Sequence, residues 1–483
     1  MDGELLHETT SLCPICGSQI PARRLRKDAG VYLEKTCPAH GEFHALLWRD
    51  RLDLGAWIGD TESTPLGGSS CPDACGLCGD HLRGSCCILL EVTHRCNLHC
   101  EFCFADGGAE DALVDSMDGP AGPGGASGDP RGDTVAPTAR GMARRNESSL
   151  AELLRDIRHL ARPGETLLQL SGGEPTMRDD LPAIVAAAKE AGCAYVQLNT
   201  NGIRIAEEPK YLAALAEAGL SFVFLQFDGT DDRIYEALRG RPLLDLKLGA
   251  IESCARCGIG VSLVPTLVRG LNLEQVGDIL RFAVSRSPIV RGLHFQPVSH
   301  IGRFPAPPTD EDRITLDELI LRIETDSGGM VPAGSLLPSS CDHPLCGFHG
   351  DFVVTEEGSL RSLGRNRSTQ QPALSQAKPG CSCKADPASL SRNFVARRWK
   401  RPPPETPGLG GAPAPGTAAH DLRDISFLLE RVRSHGFTLS AMAFQDRWTV
   451  DLERLRRCSL HVYDKGRLVP FCSHYLGPWP VRR

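Results

Sequence analysis

With 483 residues the chain is long enough for a large core with appendages. Its 53 basic and 60 acidic side chains leave a net charge of -7, which removes any global electrostatic case for binding nucleic acid. Its 20 cysteines would suit a disulfide scaffold in a small secreted domain. The chain starts Met1-Asp2-Gly3-Glu4, however, acidic and without an apolar run, so the expectation is thiols held reduced in the cytoplasm and spaced as metal ligands. No stretch approaches the roughly 18 apolar residues of a transmembrane segment, so a lipid substrate would have to be met at a membrane surface or on a carrier.

Residues 1–60 hold two knuckle signatures, Cys13-Pro14-Ile15-Cys16-Gly17 and Cys37-Pro38-Ala39-His40-Gly41. Each glycine permits the tight turn that aims backbone amides at sulfur. Cys13, Cys16, Cys37 and His40 then offer four tetrahedral ligands to one mononuclear zinc or iron. The module reads as rubredoxin-like or zinc-ribbon-like, with Cys71 as the competitor to His40 and a structural zinc as the plainer occupant. Residues 61–87 read as an auxiliary iron-sulfur segment. Cys71, Cys75 and Cys78 have Gly79 after them, and Cys86 or its neighbour Cys87 is in place to supply a fourth thiolate. A second cluster with an open iron is the alternative there.

Residues 88–300 carry the centre of the chain. The apolar run Ile88–Thr93 predicts a strand, and Cys96, Cys100 and Cys103 follow at once. A four-iron cluster normally takes four thiolates, so three leave one iron open as a reactive position; a zinc site or a fully ligated cluster is the bland alternative. Residues 105–149, rich in Gly, Ala, Asp and Pro, read as a disordered insertion. Beyond them strands at Thr166–Leu170, Ala194–Leu198, Ser221–Phe227, Val261–Thr266 and Gly292–Pro297 are predicted. They alternate with helices at Leu150–Ala161, Asp180–Ala191, Pro209–Ala218, Arg233–Leu238, Leu244–Arg256 and Leu273–Ser285, the last with Asn272 and Gln275 as a capping box. Such alternation means parallel β/α units with right-handed crossovers and chemistry at the carboxyl ends of the strands. At those ends stand Ser171-Gly172-Gly173-Glu174-Pro175, Asn199-Thr200-Asn201-Gly202, Gln226 with Asp228, Pro265 with Thr266, and Gln296-Pro297-Val298.

Residues 301–483 read as an extension with a further cluster drawn from separate loops, Cys341, Cys346, Cys458 and Cys472, for which Cys381 and Cys383 compete. Residues 400–420 are a Pro/Gly linker ahead of a helix at Leu422–Ser434. Cys193, Cys254 and Cys257 read as small buried apolar residues.

The triplet Cys96, Cys100, Cys103, with the aromatic Phe104 after it, resembles the signature of the radical S-adenosylmethionine superfamily. The six units resemble that family's fold: α/β, a partial (β/α)6 TIM-type barrel, here with cysteine-rich N-terminal and C-terminal metal-binding extensions. The resemblance implies that Cys96, Cys100 and Cys103 hold a catalytic [4Fe-4S] cluster whose open iron chelates S-adenosylmethionine. Reductive cleavage then yields a 5'-deoxyadenosyl radical, with a ferredoxin or flavodoxin as electron donor. It further implies cofactor contacts from Phe104, Gly172, Gly173, Glu174, Pro175, Asn199, Asn201, Gln226, Asp228, Gln296 and Pro297. In such sites a glycine-glycine-glutamate loop receives the methionine ammonium on its carbonyls and carboxylate. One or two auxiliary [4Fe-4S] clusters would complete the set.

The order of motifs through Ala443-Phe444-Gln445-Asp446, Arg456-Arg457-Cys458 and Pro470-Phe471-Cys472 resembles the tetraether lipid synthase-like branch, which also includes a pterin-modifying methyltransferase. Ser459 departs from the second cysteine frequent in that branch. The resemblance implies hydrogen abstraction from an unactivated carbon and C–C bond formation on a lipid alkyl chain. A radical methyltransferase acting on a pterin-like heterocycle is the alternative, and a non-catalytic iron-sulfur scaffold or electron carrier is a third reading. No residue set in the sequence chooses lipid over pterin.

Overall fold

The computed structural model describes residues 3–28, 30–59, 81–105, 147–364 and 425–476. Cys71, Cys75, Cys78, Cys381 and Cys383, nearly all of the expected insertion, and the expected linker lie outside them. The first module is an antiparallel meander of four strands, β1 (Glu4–Leu12), β2 (Gln19–Lys27), β3 (Gly30–Cys37) and β4 (Gly41–Trp48), paired in chain order. The two knuckles are its β1–β2 and β3–β4 turns. Gly17 and Gly41 take the positive φ values, 68° and 81°, that a side chain would resist. A short helix α1 (Leu54–Ile58) follows, capped by the Asp53 carboxylate, and packs Trp57 on Trp48 at 5.7 Å.

The second body is one long mixed sheet. Strands β5 (Cys87–Thr93), β6 (Leu167–Gly172), β7 (Tyr195–Thr200), β8 (Phe222–Gln226) and β9 (Gly260–Val264) run parallel. After the two-residue β10 (Thr266–Leu267) comes β11 (Val290–Pro297), parallel to β9. Between them lie α2 (Leu150–Leu160), α3 (Leu181–Glu190), α4 (Ile203–Glu207), α5 (Pro209–Glu217), α6 (Asp232–Arg239), α7 (Leu244–Cys257) and α8 (Val276–Ser285). The six-strand partial barrel and nearly every expected helix are present. Two readings need correction. Residues 273–275 are a 3-10 turn ahead of α8, and Asn272 does not cap it. Its amide instead binds the carbonyls of Asp228 at 2.9 Å and Thr266 at 2.8 Å, while its oxygen accepts from Val268 N at 2.7 Å. Those bonds fix the loop after β9, and Gln275 is taken up by Thr230 N at 3.2 Å.

Alternation along the strands separates two environments. Leu168, Leu170, Val196, Leu198, Val223, Leu225, Val261, Leu263, Leu293 and Phe295 are buried in the main core. The intervening Gln169, Ser171, Asn199, Phe224, Gln226, Val264, His294 and Gln296 line a cavity. Parallel strands covered on both faces normally read as continuous apolar runs, so polar residues in alternate positions mark a face reserved for something other than packing.

The C-terminal residues are more than an extension. After α9 (Leu316–Asp326), the strands β12 (Leu337–Pro338), β13 (Gly347–Val354) and β14 (Leu360–Ser362) are laid down. They are followed by α10 (Ile425–His435), β15 (Gly436–Met442), α11 (Leu452–Arg456), β16 (Leu460–Asp464), β17 (Arg467–Pro470) and α12 (Phe471–Leu476). Strand β15 pairs in parallel with β11, and β13 adds to it antiparallel; on the opposite edge β16 pairs in parallel with β5. Strands β13 and β15 at one end, and β16 and β17 at the other, therefore extend the barrel wall.

Candidate active site and metal centres

The cysteine loop leaves β5 and is fastened on three sides. Asn201 Nδ2 donates to Asn97 Oδ1 at 2.7 Å. Glu101 N donates to Leu238 O at 3.2 Å, and Cys103 exchanges backbone hydrogen bonds with Arg303 at 3.0 and 2.9 Å. Cys96, Cys100 and Cys103 all line one cavity of about 640 Å³. Phe104 lines it too, packed edge-on to Tyr475 at 5.0 Å and tilted against Phe471 at 5.3 Å.

The loop after β6 is zipped onto the cysteine loop. Gly173 N donates to Thr93 O and Glu174 N to Arg95 O, both at 2.8 Å. A Cβ on Gly172 would lie 2.1 Å from the Thr93 carbonyl oxygen, and one on Gly173 would lie 2.2 Å from that of Arg95. The two glycines are therefore required for this close backbone approach.

Glu174 is 2% exposed and receives four protein donors. Oε1 accepts from Thr176 Oγ1 at 2.6 Å, Thr176 N at 3.1 Å and Thr200 Oγ1 at 2.7 Å, whereas Oε2 accepts from Asn201 N alone, at 2.7 Å. A carboxylate oxygen has two lone pairs, so Oε2 retains room for one more donor, such as an ammonium in the cavity. Burial pushes the Cys96 thiol up to about 12, so its thiolate needs a compensating cation, which a cluster iron provides. The residues thus fit a three-thiolate cluster beside an amine-binding loop.

Beneath the triplet lies a buried charge group that no sequence motif announces. Arg239 donates to both oxygens of Asp228, at 2.8 and 2.7 Å, and to Thr266 Oγ1 at 3.1 Å, and its guanidinium also reaches the Cys100 sulfur. Lys247, fully buried and pushed down to about 8 by that burial, donates to the Asn201 carbonyl. Asp228, expected to bind ribose, is therefore corrected: it is 0% exposed, does not line the cavity, and its carboxylate is committed to Arg239 and to Thr266 N.

In the N-terminal module the ligand atoms of Cys13, Cys16, Cys37 and His40 lie within 4.8 Å of one another, with His40 Nδ1 3.5 Å from Cys13 Sγ and 3.4 Å from Cys37 Sγ. Burial pushes Cys13 up to about 11, while the hydrogen bond with Ser18 Oγ carries Cys16 down to about 6. Three thiols and an imidazole this close match a single tetrahedral divalent ion.

The model for the radical SAM superfamily matches residues 90–283, and that for the HMPTM N-terminal zinc ribbon domain matches residues 5–49. The 7,8-dihydro-6-hydroxymethylpterin dimethyltransferase of Methanocaldococcus jannaschii is 32% identical over 97% of this chain and 93% of its own length. The chain belongs to the radical SAM superfamily. A probable GTP 3',8-cyclase of Methanothermobacter thermautotrophicus is 26% identical over 44% of this chain and 58% of that protein. Among solved structures, methylornithine synthase (PylB) superposes at a TM-score of 0.36 with 16% identity, covering 55% of this chain and 67% of that one.

As a radical SAM protein the chain uses a [4Fe-4S] cluster and S-adenosylmethionine, and the cavity brings together most of the residues expected to serve them. Gly172, Gly173, Glu174, Asn199, Asn201, Gln226 and Gln296 line it with the triplet. Pro175 and Pro297 do not. Pro175 is buried as the first residue of a 3-10 turn, and Pro297 faces a smaller cavity beside Arg313 and Asp446.

The later cysteines divide. Cys86, Cys87 and Cys341 face the main cavity, whereas Cys346, Cys458 and Cys472 gather behind its wall around Asp342. Burial raises Asp342 and all three of those thiols. Ser459 donates through N at 2.7 Å and Oγ at 2.9 Å to Asp342, so its hydroxyl is spent on holding that carboxylate. Sequence reasoning missed Arg239, Lys247, Asp342, and the pocket-lining His294, His349, Asp351, Thr438 and Ser440. The only signal for the last group was polar alternation on strands whose place in the wall the sequence does not reveal. Among the described residues no helix is long and apolar enough to cross a membrane.

Proposed function

We propose that the protein is a radical S-adenosylmethionine methyltransferase acting on a pterin-like heterocycle. The observation that carries this reading is the end-to-end similarity to a pterin dimethyltransferase, which spans both the zinc ribbon and the barrel. The polar cavity wall adds weight: Gln169, Asn199, His294, Asp351 and Ser440 face it, and a ring with several donors and acceptors can add hydrogen bonds to them where an alkyl chain cannot. The lipid-coupling reading of the tetraether lipid synthase-like branch has no comparable support.

The cluster and S-adenosylmethionine, when bound, would supply radical chemistry for hydrogen abstraction from an unactivated carbon. The chain's own residues do the rest. Cys96, Cys100 and Cys103 would hold the cluster, and Glu174 Oε2 with the loop of Gly172 and Gly173 would receive the methionine amine. Arg239 places positive charge beside the Cys100 sulfur. The barrel wall keeps water and stray hydrogen donors from the reacting carbon. The electron arrives from a ferredoxin- or flavodoxin-like donor in a reducing cytoplasm, in keeping with the 15 free cysteines among the described residues.

The test is anaerobic reconstitution with iron and sulfide, reduction, and addition of S-adenosylmethionine with 6-hydroxymethylpterin in its dihydro form. Expected products are 5'-deoxyadenosine and a methylated pterin, both absent in Cys100→Ala. Isotope label in the S-adenosylmethionine methyl group identifies the methyl source. Production of 5'-deoxyadenosine with the pterin unchanged, and with altered lipids in extracts of expressing cells, would transfer the assignment to the lipid class.

A further inference from the structure

Resting on the pterin reading, we propose that the wall formed by β11, β15 and β13 is the subsite for the aminopyrimidinone edge of the substrate ring, with Asp351 accepting its two adjacent N–H donors. The sheet order separates the work of the cavity. The cysteine loop follows β5, the glycine-glycine-glutamate loop follows β6 and the Asn199–Asn201 turn closes β7, so the cofactor residues cluster toward one end of the sheet. Strands β11, β15 and β13 stand toward the other and face the same cavity.

Two rungs of cross-strand neighbours cover that wall. In one, Gly292 lies beside Thr438 and Thr438 beside Asp351; in the next, His294 lies beside Ser440 and Ser440 beside His349. Thr438 Oγ1 donates to Asp351 Oδ1 at 3.1 Å, which orients the carboxylate, and His294 Nδ1 is 2.8 Å from Ser440 Oγ. The ring of Phe224 lies 5.8 Å from that of His294, tilted to it by 43°, so an aromatic ligand would meet aromatic surface next to the polar groups.

A carboxylate presents two coplanar acceptors, and the ring N–H and exocyclic amine of a 2-amino-4-oxopyrimidine present two parallel donors at matching separation. Thr438 and the His294–Ser440 pair are oriented neutral groups, able to meet the remaining heteroatoms of such a ring. A purely apolar ligand would gain no hydrogen bond from these groups.

The complementarity makes a prediction that a structural role does not. Asp351→Asn replaces two acceptors with one acceptor and one donor, the pattern that fits lumazine, in which the exocyclic amine is a carbonyl. Binding of pterin and of lumazine to the anaerobic, cluster-loaded enzyme would be measured by quenching of their fluorescence, with S-adenosylmethionine affinity as the control. Wild type is expected to prefer pterin. The variant is expected to lose roughly ten- to a hundredfold in pterin affinity while gaining lumazine affinity, with S-adenosylmethionine binding unchanged. Retention of the wild-type preference in Asp351→Asn overturns the subsite alone. Absence of binding of either ring to wild type overturns the pterin reading and the subsite with it. Should Asp351→Asn fail to load its cluster, Thr438→Val, which removes the orienting hydroxyl, is read by the same ratio; a severalfold loss of pterin preference supports the subsite and an unchanged ratio overturns it.

Discussion

At the scale of single residues, the site depends on one carboxylate that does two jobs. Glu174 joins the loop after β6 to the loop after β7 through Thr176, Thr200 and Asn201, and keeps acceptor capacity on Oε2. Glu174→Gln cannot satisfy both oxygens' partners, because either orientation of the amide sets an NH2 against a donor. The expected cost is about 1–3 kcal/mol of stability. S-adenosylmethionine affinity should also fall at least about tenfold, as lost charge-assisted hydrogen bonds of this kind imply. Denaturant unfolding and equilibrium dialysis would read the two effects; unchanged cofactor affinity would assign Glu174 a structural role only. The sequence revealed this residue because its neighbours are contiguous with it, as they are for the cysteine triplet. It concealed the true partner of Asp228, because Arg239 lies 11 residues on, at the far end of α6, and nothing in the spacing distinguishes an ion pair from a ribose contact.

At the scale of elements, the zinc ribbon is fastened to the C-terminal residues by buried polar groups. Arg24 on β2 donates to Asp451 at 2.6 Å and to Glu453 at 3.3 Å, His7 lies 2.8 Å from Glu453, and Thr9 donates to Asp451 at 2.8 Å. This is why the knuckles were legible and the four strands between and around them were not. Strand β2 reads as basic and exposed, Arg23-Arg24-Leu25-Arg26-Lys27, yet Arg24 is 4% exposed, because its charge is matched by a segment more than 400 residues distant in sequence.

Burial alone would raise the Asp451 carboxyl, but Arg24 beside it carries it from 3.8 down to about 2. Its folded value lies below its unfolded one, so the stabilisation is complete above about pH 4 and is lost as pH falls through about 2. The magnitude is about 2 kcal/mol. Asp451→Asn should therefore flatten the acid limb of the stability curve while changing little in its shape at higher pH, as measured by urea unfolding across pH. An acid limb identical to that of wild type would remove the pair from the account of docking.

At the scale of the whole molecule, the β/α alternation was legible over β5 to β11, where each strand pairs with its neighbour in sequence and periodicity carries the signal. The remainder of the wall was not, because β15 pairs with β11 and β16 with β5 across long separations that no local pattern encodes. Hence His294 could not be joined to Ser440, or Thr438 to Asp351, before the sheet order was known. A chain ending at residue 364 would retain every cofactor-binding motif yet expose an edge of β5 and of β11. We expect it to aggregate and to hold substoichiometric iron. Size-exclusion chromatography with iron analysis would check this, and a monomeric, fully loaded truncation would show that the barrel closes by itself.

Because its two flanks, β15 and β16, come from residues 436–464, the cavity has an order of construction. A ribosome delivers the cysteines of the triplet well before the strands that shelter them, while the segment between those strands also receives the ribbon made earlier. The N-terminal ribbon thus meets residues 447–453, and the cavity wall is complete only once β15 and β16 have been made. The loop that would hold the cluster is made long before the strands that enclose it, so timing of cluster insertion is written into chain order.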